Sequence, residues 1–302
     1  YNFLNEFVEL DNFISVMSHV CQSALSQYDQ WQFINLVEQY DIAYHARKHG
    51  QLCCYISAKE ILTMLLLECE KVDVEIVTGC LVESINVAQQ ANFRFELTTN
   101  EGSYSSQSLV IATGGLSIPK MGASGFGYRV AEQFGLKVIP TRAGLVPLTF
   151  GDNTKSLCER LSGVSIECRI STNGSNKKIS FDEALLFSHR GLTGPVALQI
   201  SNYWREREAI EVDLLPETHI QQLFADAKAN RPKSLVRSLL GEHLPKSLIT
   251  ELEASLWANK NDLPVGEWSS ADLETLARTL SHWVLRHSGT QGYRTAEVNL
   301  GG

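Results

Sequence analysis

The stretch LVIATGGLSIPKMGASGFGYRVAEQFGLKVIPTRAGLVPL, residues 109–148, reads as a buried strand, two glycine-rich turns, a helix and a second strand. Leu109, Val110, Ile111 and Ala112 form a short apolar run of the kind that fills a strand covered on both faces. The run stops at Thr113-Gly114-Gly115, where the chain turns sharply with no Cβ atoms in the way. A second set, Gly122, Gly125 and Gly127, opens a helix with Val130, Ala131 and Phe134 on its apolar face, and Gly135 stands where a left-handed C-terminal cap is expected. A glycine-lined strand end facing a helix N-terminus lets a phosphate or a flat cofactor approach backbone amides. On spacing alone, two tight turns in an ordinary α/β domain is an equal reading, because such turns are common.

Working outward, 302 residues suit two or three domains, and 44% hydrophobic with 20% charged residues is ordinary for a globular chain. The net charge of −8 argues against a broad nucleic-acid footprint, and no DNA partner is expected. The longest apolar stretch, residues 61–67, is too short to span a bilayer, so no membrane partner is expected either. Seven cysteines (21, 53, 54, 69, 80, 158 and 168) make an odd number without CxxC spacing, which reads as reduced, mostly buried thiols in a cytoplasmic protein.

Residues 1–56 read as helical and irregular, with Phe13, Val16, Met17, Val20 and Leu25 at helical spacing and Tyr28, Trp31, Phe33, Ile34 and Val37 continuing past Asp29. Trp31 and Tyr44 read as core rather than as cofactor contacts. Ser57 and Glu60 form a capping box for a helix with Ile61, Leu62, Leu65, Leu66 and Cys69 on one face. Residues 74–77, 81–87 and 93–98 read as strands, with a hairpin tip at 88–92. After Pro147 come short apolar or alternating segments at 164–170, 179–181, 184–187 and 210–214, the pattern of a small β-barrel or sandwich. Residues 217–287 read as helical, with Pro245 placed to begin one helix and Ser269 with Asp272 another, carrying Leu273, Leu276, Leu280 and Val284.

Three strings in order carry a family resemblance: ATGGLSIPKMGASGFGY with GLVPL, then LLFSHRGLTGPVALQIS at 185–201, then GYRTAEVNLGG at 292–302. Together they resemble the NAD(P)/FAD-dependent oxidoreductase flavoproteins of the YhiN-like, or BaiN/RdsA-like, type, over nearly the whole chain. The resemblance implies a multi-domain α/β and α+β protein, with a partial FAD-binding Rossmann-like domain at 1–143, a β-barrel insert at 144–216 with 288–299, a helical insert at 217–287, and a strand at 295–298. It implies that Ala112, Thr113, Gly114 and Gly115 line FAD, that Val82 offers its backbone near the adenine, and that Gly122, Gly125 and Gly127 form a wall beside the flavin. Related flavin enzymes carry GDG at that last turn, where Gly125-Phe126-Gly127 stands here. The family's opening GxGxxG and its closing flavin-covering segment lie outside these 302 residues. The chain is therefore expected to be the central part of a larger protein, and inactive in isolation.

Flavin chemistry asks little of side chains, because the ring carries the electrons. His189 and Arg190 lie on a glycine-flanked loop suited to reaching a substrate or the flavin edge, one donating a proton and the other holding a carbonyl or anion. A structural role in a turn is the commoner fate of such a pair. Arg142, Tyr293 and Arg294 lie near the expected domain junctions. His45 and His49 are four apart, but with no third ligand they read as a solvated helix end, and no metal site is expected. GASGFG is not the GxSxG of a hydrolase. The function expected is reduction of a conjugated C=C or C=O by hydride from FAD, itself reduced by NAD(P)H. A small molecule and an RNA remain open as substrate. The alternative is an RNA- or protein-binding module in which the helical insert delivers a large substrate such as ribosomal RNA. Residues 217–287 hold eight Lys/Arg against nine Asp/Glu, so only a basic face of Arg231, Lys233 and Arg237 would favour that.

Overall fold

The computed structural model describes the whole chain except residues 1, 15–17, 90–91, 174–176 and 206–207, so Val16, Met17 and part of the expected hairpin tip lie outside the described residues. The chain divides into two compact units, Tyr1–Val110 and Ile111–Gly302.

In the first unit, α1 (Ser18–Gln27) and α2 (Gln30–Gln39) are followed by a strand pair, and strand β1 (Asn2–Asn5) precedes them. The sheet order is β1-β3-β2, with β2 at Tyr44–Ala46 and β3 at Gln51–Cys54, all antiparallel. Helices α1 and α2 bear out part of the helical reading of residues 1–56, and the sheet replaces it at 2–5, 44–46 and 51–54, where the strands are only three or four residues long, too short to show alternation. His45 accordingly sits in β2, and His49 adopts a left-handed conformation (φ 58°) in the turn before β3, so the two share no helix. Asp29 and Gln32 cap α2 reciprocally; the helix buries Ile34 and Val37, and Val37 forms a small core with Ile42, Cys54 and Met64. Trp31, expected in that core, is 53% exposed, while Tyr44 packs against it.

Helix α3 (Lys59–Lys71) starts as expected, with the Glu60 carboxylate accepting from Ser57 N–H at 3.1 Å and Ser57 Oγ accepting from Lys59 N–H at 3.2 Å. Its buried residue is Met64, however, and Leu62, Leu65 and Leu66 are exposed. The cluster it meets is narrow enough to cover only the Ile61–Met64 edge of the helix. Strands β4 (Val82–Val87), β5 (Phe95–Thr99) and β6 (Gly102–Ser106) form an antiparallel meander. Residues 74–77 and 109–112 are not strands: neither run has a ladder partner among the described residues, and Val110 is 83% exposed. An apolar run becomes a strand only where neighbours take up its N–H and C=O groups.

The second unit begins with the glycine turns and α4 (Phe126–Gln133), which ends as expected at left-handed Gly135 (φ 77°), with Leu136 N–H returning to the Ala131 carbonyl at 2.9 Å. The pair β7 (Arg142–Gly144) and β8 (Leu148–Thr149) leads to α5 (Asp152–Arg160), β9 (Ser165–Asn173), β10 (Lys178–Ser188), β11 (Gly191–Thr193), α6 (Pro195–Ser201) and β12 (Ala209–Asp213). Helices α7 (Ile220–Asn230), α8 (Val236–Leu240), α9 (Lys246–Leu256) and α10 (Ser270–Ser281) follow, then β13 (Trp283–Arg286), β14 (Gly289–Thr290) and β15 (Val298–Leu300). Seven strands form one antiparallel sheet in the order β13-β12-β9-β10-β11-β8-β14. The two apolar segments at 179–181 and 184–187 are halves of the single strand β10, paired with β9 from Lys178↔Asn173 to Leu186↔Ser165.

Pro245 stands immediately before α9, and Ser269 Oγ accepts from Asp272 N–H at 3.0 Å to cap α10. Leu273, Leu276 and Leu280 are buried, whereas Val284 belongs to β13 and is exposed. Sheet and helices share one hydrophobic cluster, in which Ile170, Leu185 and Ile210 join Phe224, Leu248 and Leu276. The expected strand at 295–298 forms later, as β15, and pairs with β7.

Candidate functional site

The glycine-rich turns are held by chemistry from the far end of the chain. Asn299 sits in β15, which pairs with β7 through Val298↔Gly144 and Leu300↔Arg142. Its side-chain oxygen accepts from Leu116 N–H at 3.0 Å, so a residue in the AEVNLGG string fixes the exit of the Gly114-Gly115 turn. Gly115 is glycine because of that neighbour: a Cβ there would lie 2.1 Å from Asn299 Nδ2 and 2.9 Å from Tyr128 Oη. Gly127 lets the first turn of α4 approach Thr113 and Ile111, with a Cβ at 3.1 and 3.2 Å from their side chains. Gly302 (φ 112°) lies against the Tyr128 ring. The structure therefore brings Thr113, Gly115 and Gly127 together around Tyr128 and Asn299.

The other side of this cradle is open. Gly114 (φ 69°) and Gly122 (φ 89°) are left-handed, and no heavy atom of the described residues lies within 4 Å of where a Cβ would stand on either. Ala112, Thr113 and Gly114 are exposed, which leaves backbone amides and carbonyls free to meet a flat or phosphorylated group. Gly125 differs from its neighbours. At φ −80° it precedes α4, and its nearest Cβ contact would be 3.5 Å. Val82 opens β4 in the first unit, half-buried and paired with Thr99.

His189 and Arg190 form the two-residue turn of the β10–β11 hairpin, where Ser188 pairs with Gly191. Both are exposed, and neither has a hydrogen-bond or ion-pair partner among the described residues. The glycines around them are structural. A Cβ on Gly191 (φ 147°) would meet the Leu148 carbonyl oxygen at 2.1 Å, and one on Gly194 (φ 87°) the Ala184 carbonyl oxygen at 2.7 Å. Register separates this tip from the glycine cradle. Gly191 and Gly289 both pair with Thr149, and Leu192 and Thr290 both pair with Leu148. From there the chain runs away from the tip, through Gln291 bonded to Pro147, to Tyr293, whose carbonyl accepts from Ile118 N–H.

Arg142 has a positioning role. Its guanidinium donates to the carbonyls of Ser201 (3.3 Å) and Asn202 at the C-terminal end of α6, where a cation suits the helix dipole. Burial, and then the charge of Arg205, lower its pKa from the ordinary arginine value. Ser201 Oγ and Asn202 Oδ1 accept from the N–H groups of Val146 and Leu145, bolting the same helix end to residues 145–146. Arg294 is exposed. Two buried hydroxyls near the cradle, Ser117 Oγ and Tyr293 Oη, lack hydrogen-bond partners among the described residues. Sequence reading missed Asn299, Tyr128 and Ser117. The signal for Asn299 was a lone polar residue between Val298 and Leu300, one residue short of two glycines.

Among the described residues, no cluster of three His, Cys, Asp or Glu side chains could hold a metal, and no helix is long and apolar enough to cross a membrane. All seven cysteines are free thiols, and burial pushes the pKa values of Cys158 and Cys168 up to about 12. In the helical stretch, Arg231 pairs with Glu242 at 2.8 Å, and Arg237 with Glu253 and Asp262 at 3.1 Å each. Two of the three cations that a basic face required are thus neutralised by partners.

Comparison with known proteins places these features in a family. The model for the HI0933-like protein Rossmann domain matches residues 1–292. The ribosomal RNA dihydrouridine synthase of Escherichia coli K12 is 41% identical over 301 residues, covering 100% of this chain and 73% of that protein. The protein of the same name from Haemophilus influenzae is 39% identical over 305 residues, covering 100% of this chain and 74% of the relative. The 3-dehydro-bile acid delta(4,6)-reductase of Clostridium scindens is 24% identical over 255 residues, covering 81% of this chain and 61% of the relative.

Proposed function

Because the chain belongs to the HI0933-like family, we propose that it is the central portion of a FAD-dependent oxidoreductase that reduces a conjugated C=C with hydride from reduced flavin. The observation that carries this reading is the cradle at 112–115, closed on one side by Asn299 and Tyr128 and open on the other. Its residues fit a flat cofactor: exposed backbone at Ala112–Gly114, no Cβ at Gly114 or Gly122, and unpartnered hydroxyls at Ser117 and Tyr293. When bound, FAD supplies the hydride-transfer chemistry, and NAD(P)H is the donor that would reload it. The chain's own residues position and shield. The backbone at 112–114 and the N-terminal end of α4 would hold the cofactor, while Asn299 holds the turn at Leu116 so that the approach surface does not reorganise.

As substrate, we favour the C5=C6 bond of uracil in RNA over a steroid enone, because the two relatives named for dihydrouridine synthesis match at 41% and 39% and the bile-acid reductase at 24%. On this reading, residues 144–216 with 288–299 form a barrel-like insert and 217–287 a helical insert. RNA contact by that insert would have to use cations other than Arg231 and Arg237. His189 and Arg190, exposed and unpaired at a hairpin tip, are suited to touching substrate rather than flavin. The test is the visible absorption spectrum of the purified whole protein of which this chain is the central portion, with and without added FAD, followed by NAD(P)H oxidation in the presence of uridine-containing RNA. Flavin bands that survive desalting, and oxidation that depends on the RNA, are expected. A protein that stays colourless with excess FAD would sink the assignment.

A further inference from the structure

The two orphaned hydroxyls beside the cradle carry an inference of their own. Ser117 Oγ and Tyr293 Oη are buried, and neither has a hydrogen-bond partner among the described residues. Folded proteins pair nearly all such groups, because an unmade bond forfeits the hydration the group had in water. The chain also ties the two residues together, since Ile118 N–H, one residue past Ser117, donates to the Tyr293 carbonyl at 3.0 Å. Ile118 is itself strained: a β-branched residue at φ 56°, ψ 62°, in a region that such side chains avoid. Two orphans and one strained residue on a single short link, next to a turn whose outer side is open, are poorly explained by packing alone.

We propose that the Ser117 and Tyr293 hydroxyls together read the imide edge, O=C–NH–C=O, of a flat heterocycle. The chemistry follows from the donor set. Each hydroxyl gives one hydrogen and takes up to two, so the pair can serve both a carbonyl oxygen and an N–H. Both the isoalloxazine ring and uracil present an imide, so the inference rests on the function proposed above and narrows which atoms meet its flavin or its substrate.

The test uses the purified whole protein that contains this chain, as wild type, Ser117→Ala and Tyr293→Phe. Binding of FAD is followed by flavin fluorescence, binding of uridine monophosphate by calorimetry, and ligand-free melting by circular dichroism. Each substitution is expected to weaken one of the two ligands about ten-fold, the size of one hydrogen bond. Ligand-free melting should be unchanged or raised, because nothing is lost when an unpaired hydroxyl is removed. Loss of FAD affinity assigns the pair to the flavin, and loss of uridine affinity assigns it to the substrate. Unchanged affinity for both ligands, or a variant that melts earlier or fails to fold, overturns the pair while leaving a flavin-binding wild type intact. A wild type that takes up uridine but not FAD, with uridine weakened by the substitutions, upholds the pair and removes the flavin reading. A wild type that binds neither ligand overturns both.

Discussion

Single glycines in this chain look alike in sequence and do different work. Gly191 is held at φ 147° with the Leu148 carbonyl where its Cβ would go, and backbone cannot move aside as a side-chain tip can. Gly191→Ala is expected to destabilise the protein by about 2–4 kcal/mol in denaturant unfolding, as strain and displacement add. Gly125, at φ −80° with nothing closer than 3.5 Å, is expected to accept alanine for under about 1 kcal/mol. Both were singled out by sequence, one inside SHRGLTGP and one inside GASGFG, but spacing could not rank them. Asn299 was illegible for a different reason. Its partner, Leu116 N–H, is 183 residues away, and no local pattern announces so distant a bond. Asn299→Ala leaves that N–H without its acceptor and a space beside Gly115, so a loss of about 1–3 kcal/mol in unfolding free energy is expected. Retention of wild-type stability would show that the turn does not depend on this bond.

At the scale of elements, caps were legible and faces were not. The starts of α3 and α10 were read from side chains a few residues apart, at Ser57 with Glu60 and Ser269 with Asp272, and α2 carries a cap of the same kind at Asp29 with Gln32, which the sequence reading took only as a break. Apolar periodicity, by contrast, says that a residue suits burial without naming what buries it. In α3 the stripe of Leu62, Leu65 and Leu66 is exposed and Met64 is the anchor, at 1% exposure. The runs at 74–77 and 109–112 show the same gap between pattern and partner, apolar but without ladders among the described residues. Met64→Ala is therefore expected to cost about 2–5 kcal/mol, the range for truncating a buried methionine, whereas Leu65→Gln stays within about 0.5 kcal/mol. Thermal melts of the two variants check the contrast, and equal losses would mean that α3 uses its leucine face after all.

At the scale of the whole molecule, the two units differ in how they are held. The first rests on a small cluster around Val37, Ile42, Cys54 and Met64, while the second has one core running through sheet and helices. The sequence announced the strands and helices of the second unit separately, and their shared core became visible only when they were assembled. That core also contains a pH-sensitive group. His287 is 7% exposed, its ring lies 3.8 Å from that of Trp204, and Nδ1 meets the Gly289 carbonyl at 3.3 Å. Burial lowers its pKa to about 4, against an ordinary value of 6.5, so the folded chain resists protonation that the unfolded chain accepts. Between those values the unfolded state binds more protons, and stability must fall as pH falls. The contribution is complete above pH 6.5 and is lost by about pH 4, a difference of roughly 3 kcal/mol. His287→Phe keeps an aromatic ring against Trp204 but cannot be protonated. Four of the five tryptophans (204, 257, 268 and 283) lie in the second unit, so tryptophan fluorescence in urea reports its unfolding. The variant should lose about 1 kcal/mol at pH 7, for the bond to Gly289, and then decline less steeply than wild type between pH 6.5 and 4. Parallel pH profiles for the two proteins would mean that His287 is no more reluctant to take a proton when folded than when unfolded.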